Sequence, residues 1–201
     1  MLRMEFQEVL RRRRMVRNYD PSRPVPDAVV DRLLANALRA PSAGFSQGWA
    51  FLVLSTAAER DRFWAATTDP GEPDAWLRDM RNAPLLVVPL SHKRAYLDRY
   101  AADDKGWTDK AESRWPVPYW DIDTGFASLL ILLTAVDAEL GACFFGVPPE
   151  RMDPFRAAFG VPAEYTPIGC VSVGYRAPDR RSPSLKRGHR PVEEVVHHGS
   201  W

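Results

Sequence analysis

Apolar residues recur along this chain at helical spacing in some segments and in compact runs in others, and the two patterns alternate without an internal repeat. Helical spacing predicts helices over residues 4–14, 27–39, 57–66, 92–102 and 149–159. Short apolar runs predict buried strands from Trp49 to Leu54, from Leu85 to Leu90 and from Pro167 to Tyr175. A length of 201 residues favours a single domain over residues 1–201, large enough to bury a core without disulfides.

The longest predicted helix runs from Trp120 to Leu140, and Gly141 is expected to end it. Its apolar stripe is broad, which is typical of a helix that faces more than one neighbour. The uninterrupted apolar part extends only from Phe126 to Val136, whereas a membrane span needs about 20 such residues. We therefore expect a buried helix and no membrane association.

Two segments lack a regular pattern. Residues 103–120 contain Gly106, two prolines and a dense group of aromatic residues, which predicts a lid-like excursion; the alternative is that the rings only anchor an irregular segment to the core. Residues 177–201 form an extended C-terminal tail, rich in proline and basic residues up to Arg190 and apolar again at 191–196. Such a tail cannot form its own core and must run over a surface.

Charge and cysteine content exclude several classes of partner and compartment. The chain has 27 basic and 26 acidic residues, and this balance does not favour nucleic acid or an anionic membrane as partner. Cys143 and Cys170 are too few for a disulfide framework and lie in apolar surroundings. The N-terminus lacks the apolar segment of a signal peptide. These features predict a cytoplasmic protein with two buried thiols.

Catalytic motifs of the common enzyme classes are missing from the sequence. It has no GxGxxG after a strand, no phosphate-binding GxxxxGK[ST] loop and no GxSxG nucleophile turn. Three of the four histidines lie near the C-terminus, without the spacing of a metal site. Little acid, base or nucleophile is therefore offered by the chain itself, and this favours chemistry on a bound cofactor.

Two segments could together hold an anionic cofactor with a flat ring. Residues 13–17 read RRMVR and gather positive charge, which suits a phosphate; residues 40–47 read APSAGFSQ, whose small side chains allow close approach to a ring. Each segment also has a simpler interpretation. A basic run is often only a solvated surface, and a helix that stops before a strand needs Pro and Gly in any case.

In this order, and with Trp49 beyond them, the two segments resemble the FMN-dependent nitroreductase family, and the likeness continues to the C-terminus. The resemblance implies an α+β nitroreductase-like fold, in which helices flank a small, mostly antiparallel sheet. It also implies a domain-swapped homodimer with two FMN sites shared between the subunits, and a tail that wraps the partner subunit.

The resemblance also implies the residues that bind FMN. Arg13 and Arg14 would reach the phosphate and ribityl chain, and Arg17 the N1 and O2 edge of the ring. Met15 stands where the family often has Ser, so that one hydroxyl contact is missing. A further set would approach the ring from the partner subunit, with Phe45 in place of the usual Asn: Pro41, Ser42, Ala43, Phe45 and Gln47.

Later in the chain, residues 141–146 (GACFFG) resemble a family turn that would bring the backbone N–H of Phe145 or Gly146 to flavin N5 and O4; a helix C-cap with a buried aromatic pair is the alternative. Arg190, and after it Arg187, would bind the phosphate. Phe45, Tyr119 and Trp120 would line the pocket for the substrate.

The activity implied by the resemblance is transfer of electrons from NADH or NADPH through FMN, by a ping-pong mechanism, to nitroaromatics, quinones or similar small molecules. No metal and no catalytic side chain is implied. A flavin-fragmenting or reductively dehalogenating enzyme remains open, because one fold hosts many reactions, and so does a non-catalytic FMN-binding protein.

Overall fold

A computed structural model describes residues 4–180 and 182–201, so Arg181 of the predicted tail lies outside the described residues. The strands are β1 (Trp49–Leu54), β2 (Leu85–Ser91), β3 (Gly141–Phe145), β4 (Thr166–Pro167) and β5 (Cys170–Gly174). The helices are α1 (Phe6–Arg12), α2 (Asp27–Ala37), α3 (Ala57–Thr67), α4 (Ala75–Met80), α5 (Lys93–Tyr100), α6 (Tyr119–Asp137) and α7 (Met152–Phe159).

All strands belong to one antiparallel sheet with the order β1-β2-β5-β3, and the short β4 also pairs with β2. Strand β2 is buried along its whole length, as its continuous apolar sequence predicts. The predicted α+β fold, a small antiparallel sheet flanked by helices, is confirmed.

Alternate residues of β2 face two separate cores. Leu85 and Val87 pack in a cluster with residues of α2 and α6, whereas Leu86 and Val88 pack in a second cluster with residues of α3 and α7. The sheet is therefore covered by helices on both faces. Of the helices in the described ranges, only α6 is long and apolar enough to cross a membrane, and more than half of it is buried inside the fold.

Helix α4 was not predicted. It has six residues and follows a stretch rich in Pro, Gly and Asp, and it begins where the Asp74 side chain accepts a hydrogen bond from the Leu77 N–H. Helix α3 begins with a capping box, in which the side chains of Thr56 and Glu59 each accept from the backbone N–H of the other residue. Capping thus fixes the start of α4, which is short, and of α3, whose apolar periodicity is weak.

The region after α6 differs from the prediction. The helix ends at Asp137, and Glu139 rather than Gly141 adopts the left-handed conformation, with φ of 62°. Gly141 opens β3, so residues 141–146 are mostly strand, and the predicted turn and helix C-cap are both wrong. Gly141 is needed for close packing, because a Cβ there would lie 2.8 Å from a methyl group of Val16.

The last predicted strand is interrupted. Pro167 ends β4, Cys170 begins β5, and Gly169 between them has φ of 156°. A Cβ at Gly169 would lie 2.5 Å from the Phe144 ring, so glycine is required where the two strands are interrupted.

Candidate functional site

Helix α1 ends at Arg12, and the arginines that follow it lie on an extended segment beside β3. Arg13 already has extended backbone angles, and the Val16 N–H donates to the Ala142 carbonyl at 3.0 Å. Val16 and Tyr19 are fully buried and fix this segment to the core. Arg13 and Arg17 are half-buried and Arg14 is exposed. The sequence therefore anchors the segment by its apolar residues and leaves its arginines free to face a cavity.

That cavity has a volume of about 770 Å³, within the range of small-molecule sites. It is lined by the predicted residues Arg13, Arg14, Met15 and Arg17, together with tail residues Asp179, Arg180, Ser182, Ser184, Leu185 and His189. The structure thus brings together four predicted cofactor residues from the N-terminal segment.

The cavity carries excess positive charge. Among the described residues, none of the Arg13, Arg14 and Arg17 guanidinium groups has a carboxylate partner. Asp179 accepts from the Arg17 backbone N–H at 3.0 Å instead. Burial, and then the nearby Arg14 and Arg12 guanidinium groups, lower the pKa of Arg176. An anion bound here would relieve this repulsion.

Met15 has a structural role as well as lining the cavity. Its sulfur accepts a weak hydrogen bond from the Phe144 N–H at 3.5 Å, and its side chain packs against both core clusters. The missing hydroxyl of the family's Ser is therefore replaced by packing, and polar contacts to a phosphate fall to the neighbouring arginines.

Two smaller cavities extend the site towards the end of β3. A space of about 210 Å³ shares Arg17 and Asp179 with the large cavity and is also lined by Trp76. Trp76 then lines a space of about 300 Å³ with the predicted residues Phe145 and Gly146. The Phe145 ring stacks on Trp64, with centroids 5.6 Å apart. Its side chain is therefore engaged in packing, and the predicted role of its backbone stays a prediction.

The predicted basic residues of the tail do not line this cavity. Arg190 pairs with Glu194 at 3.2 Å, and Arg187 is exposed at the end of a 3₁₀ turn over Pro183–Arg187 that brings Leu185 to the cavity. Arg180 is the cationic side chain that the tail contributes. The predicted contact of Arg187 and Arg190 with the phosphate stays a prediction, in a segment where no periodicity fixes register.

Part of the tail lies beside the arginine segment of its own chain. Asp179, Ser182 and Leu185 lie against Arg13, Arg14 and Arg17 of their own chain. This part of the tail therefore lines the cavity of its own chain, and the wrapping of a partner subunit by the tail stays a prediction.

The turn predicted to contact the flavin from a partner subunit lies away from the arginine cavity of its own chain. None of the predicted residues Pro41, Ser42, Ala43, Phe45 and Gln47 is among the described residues that line that cavity. The Ser42 hydroxyl accepts from the Gln47 N–H at 3.0 Å and closes the turn. Phe45 is 75% exposed.

The aromatic residues of the 103–120 excursion pack mainly against each other. Trp115 lies at the centre, with ring centroids 4.6 Å from Tyr100, 5.5 Å from Trp107 and 5.7 Å from Tyr119. Trp120 is buried beneath them, and its predicted contact with a substrate stays a prediction. This packing favours the anchor over the lid, and Tyr119 is the ring of the predicted pair that remains half-buried.

Residues 10–175 match the model of the Nitroreductase family. A protein of Archaeoglobus fulgidus, named Putative NADH dehydrogenase/NAD(P)H nitroreductase, is 30% identical over 191 residues, which cover 94% of each chain. Human Iodotyrosine deiodinase 1 is 22% identical over 212 residues, covering 96% of this chain and 68% of that protein. An Exiguobacterium sibiricum protein crystallised in complex with FMN has a TM-score of 0.71 and 18% identity, covering 95% of this chain and 99% of that one.

Proposed function

The chain belongs to the nitroreductase family, and we propose that it is an FMN-dependent enzyme that passes electrons from NADH or NADPH to small organic acceptors. The observation that carries this proposal is the arginine cavity, where three guanidinium groups without carboxylate partners among the described residues surround about 770 Å³. The Archaeoglobus fulgidus relative is named for NAD(P)H-dependent activity, and the Exiguobacterium sibiricum neighbour was crystallised with FMN.

The residues present fit FMN in charge and in size. A phosphate needs fixed cations and hydrogen-bond donors, which Arg13 and Arg14 supply with Ser182 and Ser184 nearby. The two smaller spaces, the first lined by Arg17 and Trp76 and the second by Trp76 and Gly146, offer room for the rest of an elongated cofactor. FMN supplies the redox chemistry when bound, by accepting and then releasing electrons in a ping-pong sequence.

The roles of the chain are binding, orientation and electrostatics. Arg13 and Arg14 would hold the phosphate, and Arg17 would stabilise negative charge at the N1 and O2 edge of the ring. The backbone N–H of Phe145 or Gly146 would serve N5 and O4. No side chain is required as acid or base, so activity depends on how firmly these groups are fixed by β3 and by buried Val16.

A homodimer would complete the site. Helix α6 exposes Ile122, Phe126 and Leu129 along one face, and α1 exposes Phe6 and Leu10. An apolar stripe of this kind on a core helix is typical of an interface. In a dimer, the turn with Phe45 would approach the flavin of the partner, and this aromatic ring favours planar apolar acceptors such as nitroaromatics and quinones.

Two free, buried cysteines suit a reducing cytoplasm.

The purified protein is expected to be yellow and to release FMN, not FAD, on denaturation. The arginine cavity would bind the single phosphate of FMN, and the sequence has no dinucleotide fingerprint. The visible spectrum, followed by chromatography of the released flavin, checks this expectation. A colourless protein that fails to take up added FMN at micromolar concentration contradicts the proposed function.

Reductive dehalogenation is a second candidate, supported by the alignment with Iodotyrosine deiodinase 1 along most of the chain. Parallel assays of NADH and NADPH consumption with a nitroaromatic, a quinone and a halogenated phenol separate the candidates. Release of halide with the phenol favours this second function. A protein that binds FMN and turns over none of the acceptors would be a flavin carrier instead.

Replacing Arg17 by Ala is expected to make bound FMN harder to reduce. Loss of a cation near N1 and O2 removes electrostatic stabilisation of the reduced ring, and a change of about 1.4–3 kcal/mol corresponds to roughly 30–60 mV for two electrons. The midpoint potential of the bound flavin measures the effect. Arg13→Ala, at the phosphate, is the matched control and should move the potential little. An unchanged potential in Arg17→Ala would show that Arg17 is wrongly assigned.

A further inference from the structure

The turn after α2 combines two unfavourable features. Gly44, Phe45 and Gln47 all have positive φ, at 60°, 55° and 49°, in the left-handed region that bulky residues rarely adopt. Phe45 also exposes 75% of its surface to solvent. A strained backbone and an exposed aromatic ring both lower the stability of the folded chain. The turn therefore keeps this conformation only because contacts with its surroundings hold it.

A buried carboxylate holds the start of this turn. Asp123 on α6 is 3% exposed, and its Oδ2 accepts from the Ala43 N–H at 2.8 Å and from the Tyr96 hydroxyl at 2.8 Å. Burial, and then Asp123, raise the pKa of Tyr96, so that its hydroxyl remains a donor. Burying a carboxylate is costly, and here both of its donors are neutral groups. Asp123 thus couples α6 and α5 directly to the turn.

Helix α5 holds the middle of the turn. The Arg99 Nε donates to the Gly44 carbonyl at 2.9 Å, while its Nη atoms pair with Asp104. The Tyr100 ring packs so closely that a Cβ at Gly44 would lie 2.6 Å from it. We call Asp123, Tyr96, Arg99 and Tyr100 the clamp. Its two helices hold Ala43 and Gly44, at the start of the strained stretch, and leave Phe45 projecting.

We propose that the clamp positions Phe45 for the flavin and acceptor site of a second copy of this chain. This inference rests on the proposed function. The turn does not line the arginine cavity of its own chain within the described residues, yet Asp123 lies on α6 beside Ile122 and Phe126 of the exposed apolar stripe. The clamp is therefore built into the face that a second copy would cover. In this proposal Asp123, Tyr96 and Arg99 are positioning residues that act through the turn.

Variants of the clamp test this inference. Asp123→Ala removes both hydrogen bonds, and Tyr96→Phe removes one of them while keeping the ring. Asp123→Ala should weaken FMN binding about tenfold and raise the acceptor KM about tenfold, with a smaller change in kcat, because the turn must be reordered on binding. Tyr96→Phe should show a smaller change in the same direction, and Asp123→Asn, whose oxygen can accept both hydrogen bonds, should largely restore both values.

The matched control is Asp121→Asn. Asp121 lies two residues away on the same helix and accepts from the Ser91 hydroxyl at 2.6 Å, without a hydrogen bond to the turn. The Asp121→Asn variant should leave FMN affinity and acceptor KM unchanged. A melting curve of each variant separates a general loss of stability from a loss of positioning.

Mixed dimers decide which subunit is served. Such a dimer pairs one Asp123→Ala chain with one chain that carries both Arg13→Ala and Arg14→Ala. If the turn serves the partner, the arginines of the first chain and the turn of the second chain form one intact site. Titration with FMN should then show wild-type affinity for half of the sites. If the clamp serves its own chain, no site is intact and no wild-type phase appears.

The outcomes separate this inference from the proposed function. Failure of the unmodified protein to bind FMN overturns both. Normal FMN binding with unchanged affinity and KM in Asp123→Ala overturns the clamp alone, as does a mixed dimer without a wild-type phase. If Asp123→Ala does not fold, Tyr96→Phe decides: unchanged affinity and KM in that variant overturn the proposal.

Discussion

A chain that ends at Pro178 is expected to lose FMN affinity by at least about 100-fold, since two or more charge-assisted or polar contacts disappear together. The removed segment supplies six of the residues that line the arginine cavity, among them Arg180, Ser182 and Ser184. Residues 176–178 stay, and with them the hydrogen bond from the Ala177 N–H to the Asn18 carbonyl. The sheet and both core clusters end before the cut, so the melting temperature of the flavin-free protein should change little.

A chain that ends at Pro191 is the matched control for this truncation. It keeps every residue that lines the cavity and loses only the last exposed segment with Glu194, the partner of Arg190. FMN affinity, measured by quenching of flavin fluorescence, should remain near that of the full chain. Equal affinity in the full chain and the chain ended at Pro178 would show that the tail takes no part in the site.

Periodicity predicted most of the fold because most elements bury a continuous apolar face. The boundaries of β1 were predicted to the residue, and α2 and α3 were predicted nearly so, since their apolar residues face a core. The failures have local causes. Gly141 was interpreted as a helix stop, although it is small because Val16 and Arg176 pack against it. A single glycine signals either backbone conformation or close approach, and sequence alone does not separate them.

Part of the candidate site could likewise be predicted from the sequence, and part of it could not. Arg13, Arg14 and Arg17 are close in sequence and lie on one anchored segment, so their convergence could be predicted. Trp76 was missed because α4 is short, and Arg180 was missed because the tail has no periodicity from which to derive register. Asp123 was missed because an acidic residue near the start of an apolar helix carries no motif. Its buried position beside Ala43 emerges only from packing between α5 and α6.

Replacing both Arg13 and Arg14 by Ala is expected to weaken FMN binding between about 100-fold and about 10⁴-fold. Each charge-assisted contact to a phosphate contributes about 1.5–3 kcal/mol, or roughly tenfold to hundredfold in affinity, and the two arginines lie next to each other at one anion. Folding should be unaffected, because Val16 and Tyr19 rather than the arginines fix this segment. Relief of the repulsion at Arg176 could even stabilise the flavin-free protein slightly.

Arg11→Ala is the matched control for the double variant, because Arg11 belongs to the same basic run but pairs with Glu8 on the exposed side of α1. It should leave FMN affinity unchanged. Added salt provides a second check: binding to the unmodified protein should weaken as ionic strength rises, and the double variant should have lost most of this dependence. If Arg11→Ala and the double variant weakened FMN binding equally, the basic run would act only through its general field, and the assignment of Arg13 and Arg14 to the phosphate would be wrong.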